Sequence, residues 1–316
     1  MPPPRVSVVV STYNRPERLR ELLAGLRAQT LPAQEFEVVV VDNGSEPPTG
    51  ALIETELARG GLRLRTLRHA ITRGPSGGRN SGWRLARGPL VAFTDDDCVP
   101  APDWLSAGLA LAESHPEAVL QGRTLPAPSE LPPHGLLVRT QRIERLGPHY
   151  ETCNIFYPRP LLERLGGFDE SFGLHPAGED TDLAWRAIEA GHETVFAGDA
   201  VVYHAVEAIG MRGALRIAAR WSEGMRVFAD HPQTRSMLYR GIFWNVWHYL
   251  LWRSLLALLG PGWARRMLLT MHLKQLQQRA RRGQAGASAI PFLLAHDAVE
   301  CWTIARGAIR HRTLVL

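Results

Sequence analysis

The N-terminal part of the chain switches repeatedly between two hydrophobic periods. Val6-Ser7-Val8-Val9-Val10 is a β-branched run, and Phe36 to Val41 is a second. Runs that stay apolar instead of alternating suit strands covered on both faces, as in a parallel sheet. Between them, Pro16 to Gln29 carries leucines at 19, 22, 23 and 26, the i, i+3, i+4, i+7 spacing of an amphipathic helix. Asn14, just ahead of Pro16, is expected to cap it. Leu62 to Leu67 predicts a third strand, Gly77 to Ala86 a helix, and Pro89 to Thr94 a fourth strand. This alternation predicts an α/β sheet with right-handed crossovers, whose ligands lie beyond the carboxyl ends of the strands.

Beyond Ile209 the texture changes. Helical stretches are expected over 211–229, 235–259, 262–282 and 288–310, with breaks at Asp230-His231-Pro232, Gly260-Pro261-Gly262 and Gly283. Residues 123–150 are rich in Pro and Gly, lack a period and are expected to form a loop. The pattern predicts two domains, 1–208 and 209–316. The apolar stretch Ile242 to Leu259 holds His248 and Arg253 and falls short of the ~20 apolar residues of a membrane span. It is read as a buried or interfacial helix.

Composition narrows the class. With 316 residues, 45% hydrophobic and 21% charged, the chain can bury a large core and is neither disordered nor collagen-like. Cys98, Cys153 and Cys301 are far apart and match no metal-knuckle spacing. They read as free thiols in a reducing compartment, the cytosol. Met1-Pro2-Pro3-Pro4-Arg5 runs into the first strand without the apolar core of a signal peptide. The net charge of +5 conceals a split. From Ile209 onward 16 Lys and Arg face 4 Asp and Glu, a net +12, and the rest carries 20 against 27, a net −7. Such asymmetry points to an anionic partner, although Arg-rich solvated helices account for it equally well. Lys274 is the only lysine, so part of the excess is plain Arg bias.

Three strand ends carry the same kind of polar group: Ser11-Thr12-Tyr13-Asn14-Arg15, Asp42-Asn43-Gly44-Ser45 and Asp95-Asp96-Asp97-Cys98. One Asp after a strand is commonly a cap or turn former. Three such ends on one rim point to a site. Three adjacent carboxylates repel one another unless a cation neutralises them, and carboxylate oxygens suit Mg²⁺ or Mn²⁺ bound with a substrate phosphate. Arg73-Gly74-Pro75-Ser76-Gly77-Gly78-Arg79-Asn80 is expected to be a glycine-rich loop opening a helix, where backbone N–H groups favour phosphate. It is neither a dinucleotide fingerprint nor a Walker loop. Gly178-Glu179-Asp180-Thr181-Asp182 places three carboxylates at a helix start, as caps or as a general base. His204 ends a β-like run, Val201-Val202-Tyr203, and is structural or a metal ligand.

Taken in order, Val8-Val9-Val10-Ser11-Thr12-Tyr13-Asn14-Arg15, Val40-Val41-Asp42-Asn43-Gly44-Ser45, Asp95-Asp96-Asp97, Gly166-Gly167-Phe168-Asp169-Glu170 and Gly178-Glu179-Asp180-Thr181-Asp182 resemble glycosyltransferase family 2. The resemblance covers roughly residues 5 to 206 and implies a GT-A fold, of α/β class with a Rossmann-like, mostly parallel sheet flanked by helices, followed by a C-terminal helical region. It implies an inverting transferase that moves a sugar from a nucleoside-diphosphate sugar to an acceptor hydroxyl, with a UDP-sugar the favoured donor. Residue by residue, Thr12 and Asp42 would hold base and ribose, with Tyr13 and Arg15 beside the nucleotide. Arg79 would lie by the diphosphate. Asp95 and Asp97 match the DxD metal motif for Mn²⁺ or Mg²⁺, and Asp96 would touch ribose or metal. His204 matches a further metal ligand, Asp180 the catalytic base, and Glu179 shapes the acceptor site.

Rival readings fare less well. A nucleotidyltransferase would share the carboxylates and metal but needs no acceptor-side Glu179-Asp180 pair. An NAD-dependent oxidoreductase would place glycines where Thr12-Tyr13-Asn14-Arg15 stands. A silent module binding an anionic membrane or polymer would not need the aspartates. In the C-terminal region Trp244, Trp247, Trp252 and Trp263 interleave with Arg253, Arg265 and Arg266. That mixture suits a membrane interface holding a lipid-linked acceptor, a packed helical subdomain or a homo-oligomer contact. The expected partners are therefore a nucleotide-sugar, a glycan or lipid-linked acceptor and an anionic membrane surface, with no nucleic acid. The expected location is the cytoplasm, including the inner membrane face.

Overall fold

A computed structural model describes residues 2–130, 135–174 and 177–316. The chain divides into two compact units, one over 1–130 with 140–205, the other over 131–139 with 206–316.

The first unit is α/β. In chain order it runs β1 (Val6–Thr12), α1 (Pro16–Arg27), β2 (Phe36–Asp42), α2 (Gly50–Arg59), β3 (Leu64–Arg68), α3 (Gly74–Leu85), β4 (Leu90–Thr94), β5 (Cys98–Pro100), α4 (Trp104–Ser114) and β6 (Val119–Pro126). After β7 (Val138–Arg139), which belongs to the second unit, come β8 (Asn154–Pro158), α5 (Arg159–Leu165), α6 (Glu179–Glu189) and β9 (Thr194–His204). One eight-stranded sheet has the order β3-β2-β1-β4-β8-β6-β9-β5. Its first half, β3 to β4, is parallel; β8 runs antiparallel to both neighbours, and β5 is antiparallel to β9.

The continuous apolar strands bury both faces, as their sequence predicts. Val8, Val10, Val38 and Val40 pack with Leu19, Leu22, Leu23 and Leu26 of α1 and with Leu105 of α4. Val9, Val39 and Phe93, facing the other way, pack with Trp83 of α3, Leu161 of α5 and Leu183 of α6. Truncating any of these leucines to Ala should cost about 2–5 kcal/mol.

Three local expectations change. Asn14 is no cap: it adopts φ +56°, its N–H donates to Ser45 Oγ at 3.0 Å, and its Oδ1 accepts from the Glu46 N–H at 2.7 Å. It thus ties the β1 end to the β2 end. The glycine-rich stretch is helical already from Gly74, and close packing against β1 accounts for its glycines. A Cβ on Gly78 would lie 2.0 Å from Ser11 Oγ, and one on Gly82 2.4 Å from Val9 Cγ1. The 123–150 segment contributes the end of β6 and all of β7; its residues 131–134 lie outside the described residues.

The second unit is helical, apart from β7 paired antiparallel with β10 (Glu207–Ala208). Its helices are α7 (Gly210–Ala218), α8 (Met225–Asp230), α9 (Val246–Ala257), α10 (Gly262–Arg282) and α11 (Ile290–Arg310). The single helix expected over 235–259 is cut short. Tyr239 and Phe243 exchange backbone hydrogen bonds, and Ile242 and Trp244 pair with Leu316. Helix α9 starts only where Asn245 Oδ1 accepts from the N–H groups of Trp247 and His248. Among the described residues no helix is long and apolar enough to cross a membrane.

Candidate active site

Parallel pairing of β2, β1 and β4 sets Thr12 opposite Asp42 and brings all three strand ends to one rim. Asp42, 1% exposed, closes the loop that follows it: Oδ1 accepts from the Ser45 N–H at 2.9 Å and Oδ2 from the Thr49 N–H at 3.0 Å. Burial pushes its carboxyl up, but these hydrogen bonds outweigh that and hold it below the usual carboxylate range. Each oxygen keeps a further lone pair for a ligand donor.

The three aspartates after β4 take three different environments. Asp95 accepts from Arg79 Nη2 at 2.9 Å; that guanidinium outweighs the cost of burial and holds the carboxyl low. Asp96 is buried, accepts from Thr12 Oγ1 at 2.8 Å, and is pushed up to about 7 by burial and then by the charge of Asp97. Asp97 accepts from Arg15 Nη1 at 2.5 Å, which also lies 3.5 Å from Asp96. Tyr13 is half exposed at the rim.

Asp97 and His204 are the residues that could hold a cation. β5 pairs with β9 so that Cys98 stands opposite His204. The Ala205 carbonyl, which can only accept, lies 2.8 Å from His204 Nδ1, so that nitrogen carries the proton. Nε2 faces Asp97 Oδ1 at 3.6 Å. An imidazole nitrogen and a carboxylate oxygen at that separation could together hold a divalent cation. Cys98 completes a cluster of ligand atoms within 4.8 Å of one another, but burial pushes its thiol well up, leaving it a poor ligand for a hard cation. Asp95, expected beside Asp97, turns to Arg79 instead.

Arg79 is the hub. Its Nη1 donates to Glu179 Oε1 at 3.0 Å while Nη2 holds Asp95, and its Cζ lies 5.7 Å from the centre of the Phe168 ring. Burial works against its charge, yet the two carboxylates more than compensate and raise its pKa. Asp180, next along α6, accepts from the Thr181 N–H at 2.9 Å. Burial, then the charge of Glu179, push its carboxyl well up, against the pull of Arg79. Asp182 is otherwise engaged, accepting from Arg186 Nε at 2.9 Å; Arg186 also anchors the carbonyls of Leu165 and Gly167.

Sequence reading passed over the residues that hold these groups in place. Asn80 Oδ1 accepts from the Phe168 N–H and from Trp83 Nε1, both at 2.9 Å, and its Nδ2 donates to the Phe168 carbonyl at 2.8 Å. Glu170 accepts from Arg73 at 2.7 Å and from Asn80 at 3.0 Å. Together they fix the turn at Gly167, where φ is +77° and a Cβ would strike Asn80 Oδ1. The signal was present as a helix-borne Asn80 beside Arg79 and a charged Glu170 after two glycines.

Comparison with known proteins gives the class. The family model described as Glycosyl transferase family 2 matches residues 7–161, and that of Glycosyl transferase family group 2 matches residues 90–277. The chain belongs to glycosyl transferase family 2. Glycosyltransferase AglE of Haloferax volcanii is 28% identical over 213 residues, covering 66% of this chain and 69% of AglE. The chain spans only 42% to 51% of the next curated relatives it matches. Among solved structures, the mannosyltransferase PcManGT from Pyrobaculum calidifontis, in complex with GDP-Man and Mn²⁺, shares the fold. Its TM-score is 0.62 at 21% identity, over 96% of this chain and 88% of that one. Staphylococcus aureus TarS 1-349 in complex with UDP-GlcNAc gives 0.55 at 20% identity, over 98% and 92%. These neighbours share the GT-A architecture.

Proposed function

We propose that the chain transfers a sugar from a nucleoside-diphosphate sugar to an acceptor hydroxyl with inversion, assisted by a divalent metal. One observation carries the reading: Arg79 spans from Asp95 on the donor side to Glu179, the neighbour of Asp180. Asp42 stays ionised and accepts from the nucleotide base or ribose, with Tyr13 and Arg15 flanking it. Thr12 holds Asp96 in place. Asp97 and His204 would hold Mn²⁺ or Mg²⁺, with Asp95, the other carboxylate of the DxD motif, as the third ligand, and Asp96 would meet ribose or metal. When bound, the metal neutralises charge on the departing nucleoside diphosphate.

Asp180 takes the proton of the attacking hydroxyl, and Glu179 orients the acceptor. Displacement from the opposite face needs one base and no protein nucleophile. The buried cysteines, whose thiols are pushed up, offer none. A UDP-sugar is the donor to test first, since a solved neighbour carries UDP-GlcNAc; GDP is second, as another carries GDP-Man. The acceptor is a glycan or lipid-linked glycan of cell-surface polysaccharide, glycolipid or glycoconjugate synthesis. The basic helical unit serves acceptor, membrane-surface or oligomer contacts, and the protein works in the cytoplasm at the inner membrane face.

Calorimetric titration of UDP, GDP, dTDP and CDP, with Mn²⁺ and then with EDTA, tests the donor half. Metal-dependent binding of one diphosphate, lost in Asp97→Ala/His204→Ala, is expected. Binding to none would remove the reading. Asp180→Asn should keep that binding and lose transfer, and NMR of the product should show the inverted anomer.

A further inference from the structure

Helices α9 and α10 form an antiparallel hairpin. Ser254 Oγ meets His272 Nδ1 at 2.8 Å, and the Arg279 guanidinium lies 4.7 Å from the Trp247 ring centre. These two pairings run in opposite directions along the chain, so the turn at Leu258 to Pro261 is the tip. That tip is unusually apolar for an exposed turn: Leu259 is 87% exposed, Trp263 67%, Leu256 66% and Leu258 51%. Met267, one helical turn beyond Trp263 on the same face, is half exposed as well. Contiguous apolar groups facing water at this density mark a docking surface.

Charge identifies the occupant. From His231 to His296 the sequence contains no Asp or Glu, yet carries nine Lys and Arg. Arg265 and Arg266 stand exposed immediately behind Trp263. A second copy of this surface would bring like charges together, whereas an anionic bilayer meets apolar tip and basic flank at once. The two helices, of 12 and 21 residues, do not include a span long and apolar enough to cross. The fitting depth is therefore the headgroup–acyl boundary.

We propose that the α9–α10 hairpin docks on an anionic phospholipid bilayer, with Leu258, Leu259 and Trp263 at the acyl boundary and Arg265 and Arg266 among the headgroups. This deepens the glycosyl-transfer reading, on which it rests only in assigning a lipid-linked acceptor; the binding itself stands apart.

The test is co-sedimentation of the full chain with vesicles of phosphatidylcholine, alone or mixed with phosphatidylglycerol, at low and high salt. Binding to the mixed vesicles, weakened by salt, is expected. Leu259→Ser/Trp263→Ser should lower vesicle affinity roughly tenfold or more. Arg265→Gln and Arg266→Gln should each lower it about fivefold and flatten the salt dependence. All four side chains are exposed, so unchanged melting curves should accompany these losses. A wild-type chain that stays in the supernatant with both vesicles overturns the proposal. So does vesicle binding that the tip double variant and both arginine variants retain, or a self-association that the tip substitutions abolish, which would give the surface to a second copy. Nucleotide binding, measured in parallel and untouched by these substitutions, reports separately on the glycosyl-transfer reading.

Discussion

The pH dependence of turnover is where Asp180 should reveal itself. Burial, and then the charges of Glu179 and Glu151, hold its carboxyl well above the ordinary range, against the pull of Arg79. A base held protonated must first lose its proton, so kcat/KM should climb with pH along a limb placed well above ~4. Glu179→Gln keeps an acceptor for Arg79 and removes one negative charge beside Asp180. With that charge gone and the pull of Arg79 kept, the limb should move down. Stability carries a second signature of definite sign. Above ~4 the unfolded chain has lost this proton while the folded chain retains it, so rising pH costs stability until the folded pKa is passed. Asp180→Asn has no proton to lose and should melt at higher temperature than wild type near neutrality, the difference vanishing below ~4. Steady-state kinetics on nucleotide release and scanning calorimetry read the two effects. A limb unmoved by Glu179→Gln, with a melting difference indifferent to pH, would refute the assignment.

Three further outcomes follow from the same geometry. Arg79→Lys keeps the charge, but a single ammonium cannot span Glu179 and Asp95 as the planar fork does; kcat/KM should fall roughly tenfold or more, and one carboxylate left unpaired should cost about 1–3 kcal/mol in urea titration. Asp182→Ala removes the carboxylate that accepts from Arg186 and should lower stability by about 1–3 kcal/mol in urea titration, while kcat/KM of the folded enzyme stays near wild type. Gly82→Ala drives a methyl against Val9, between α3 and β1, and should cost about 1–3 kcal/mol by the same titration.

Much of the first unit was readable because its signals are local. Uninterrupted Val runs announce strands buried on both faces, and Asp42 and Asp95 to Asp97 sit at strand ends that the parallel order then brings together. What escaped reading depended on partners distant in sequence. The helix read from Gly77 begins three residues earlier, at Gly74, and the need for glycine at 78 and 82 shows only once Ser11 and Val9 press on it from β1. Asn14 reads as a cap until Ser45 and Glu46 claim it. Asp95, grouped with Asp97 by the DxD match, also accepts from Arg79, sixteen residues earlier, a partner the motif does not contain. The helix expected over 235–259 fails because Ile242 and Trp244 pair with Leu316, a contact no window of neighbouring residues contains.

The Arg79 fork has a consequence for the order of events. On the proposed reading, one guanidinium would serve a carboxylate on the donor side and another beside the base, so the two substrates would share a single cation. A diphosphate that drew Arg79 toward Asp95 would loosen Glu179 and thereby alter acceptor affinity. Thermodynamic reciprocity would then require the acceptor to change donor affinity by the same factor. Coupling between the two substrates would thus be written into a two-pronged side chain rather than into a moving lid.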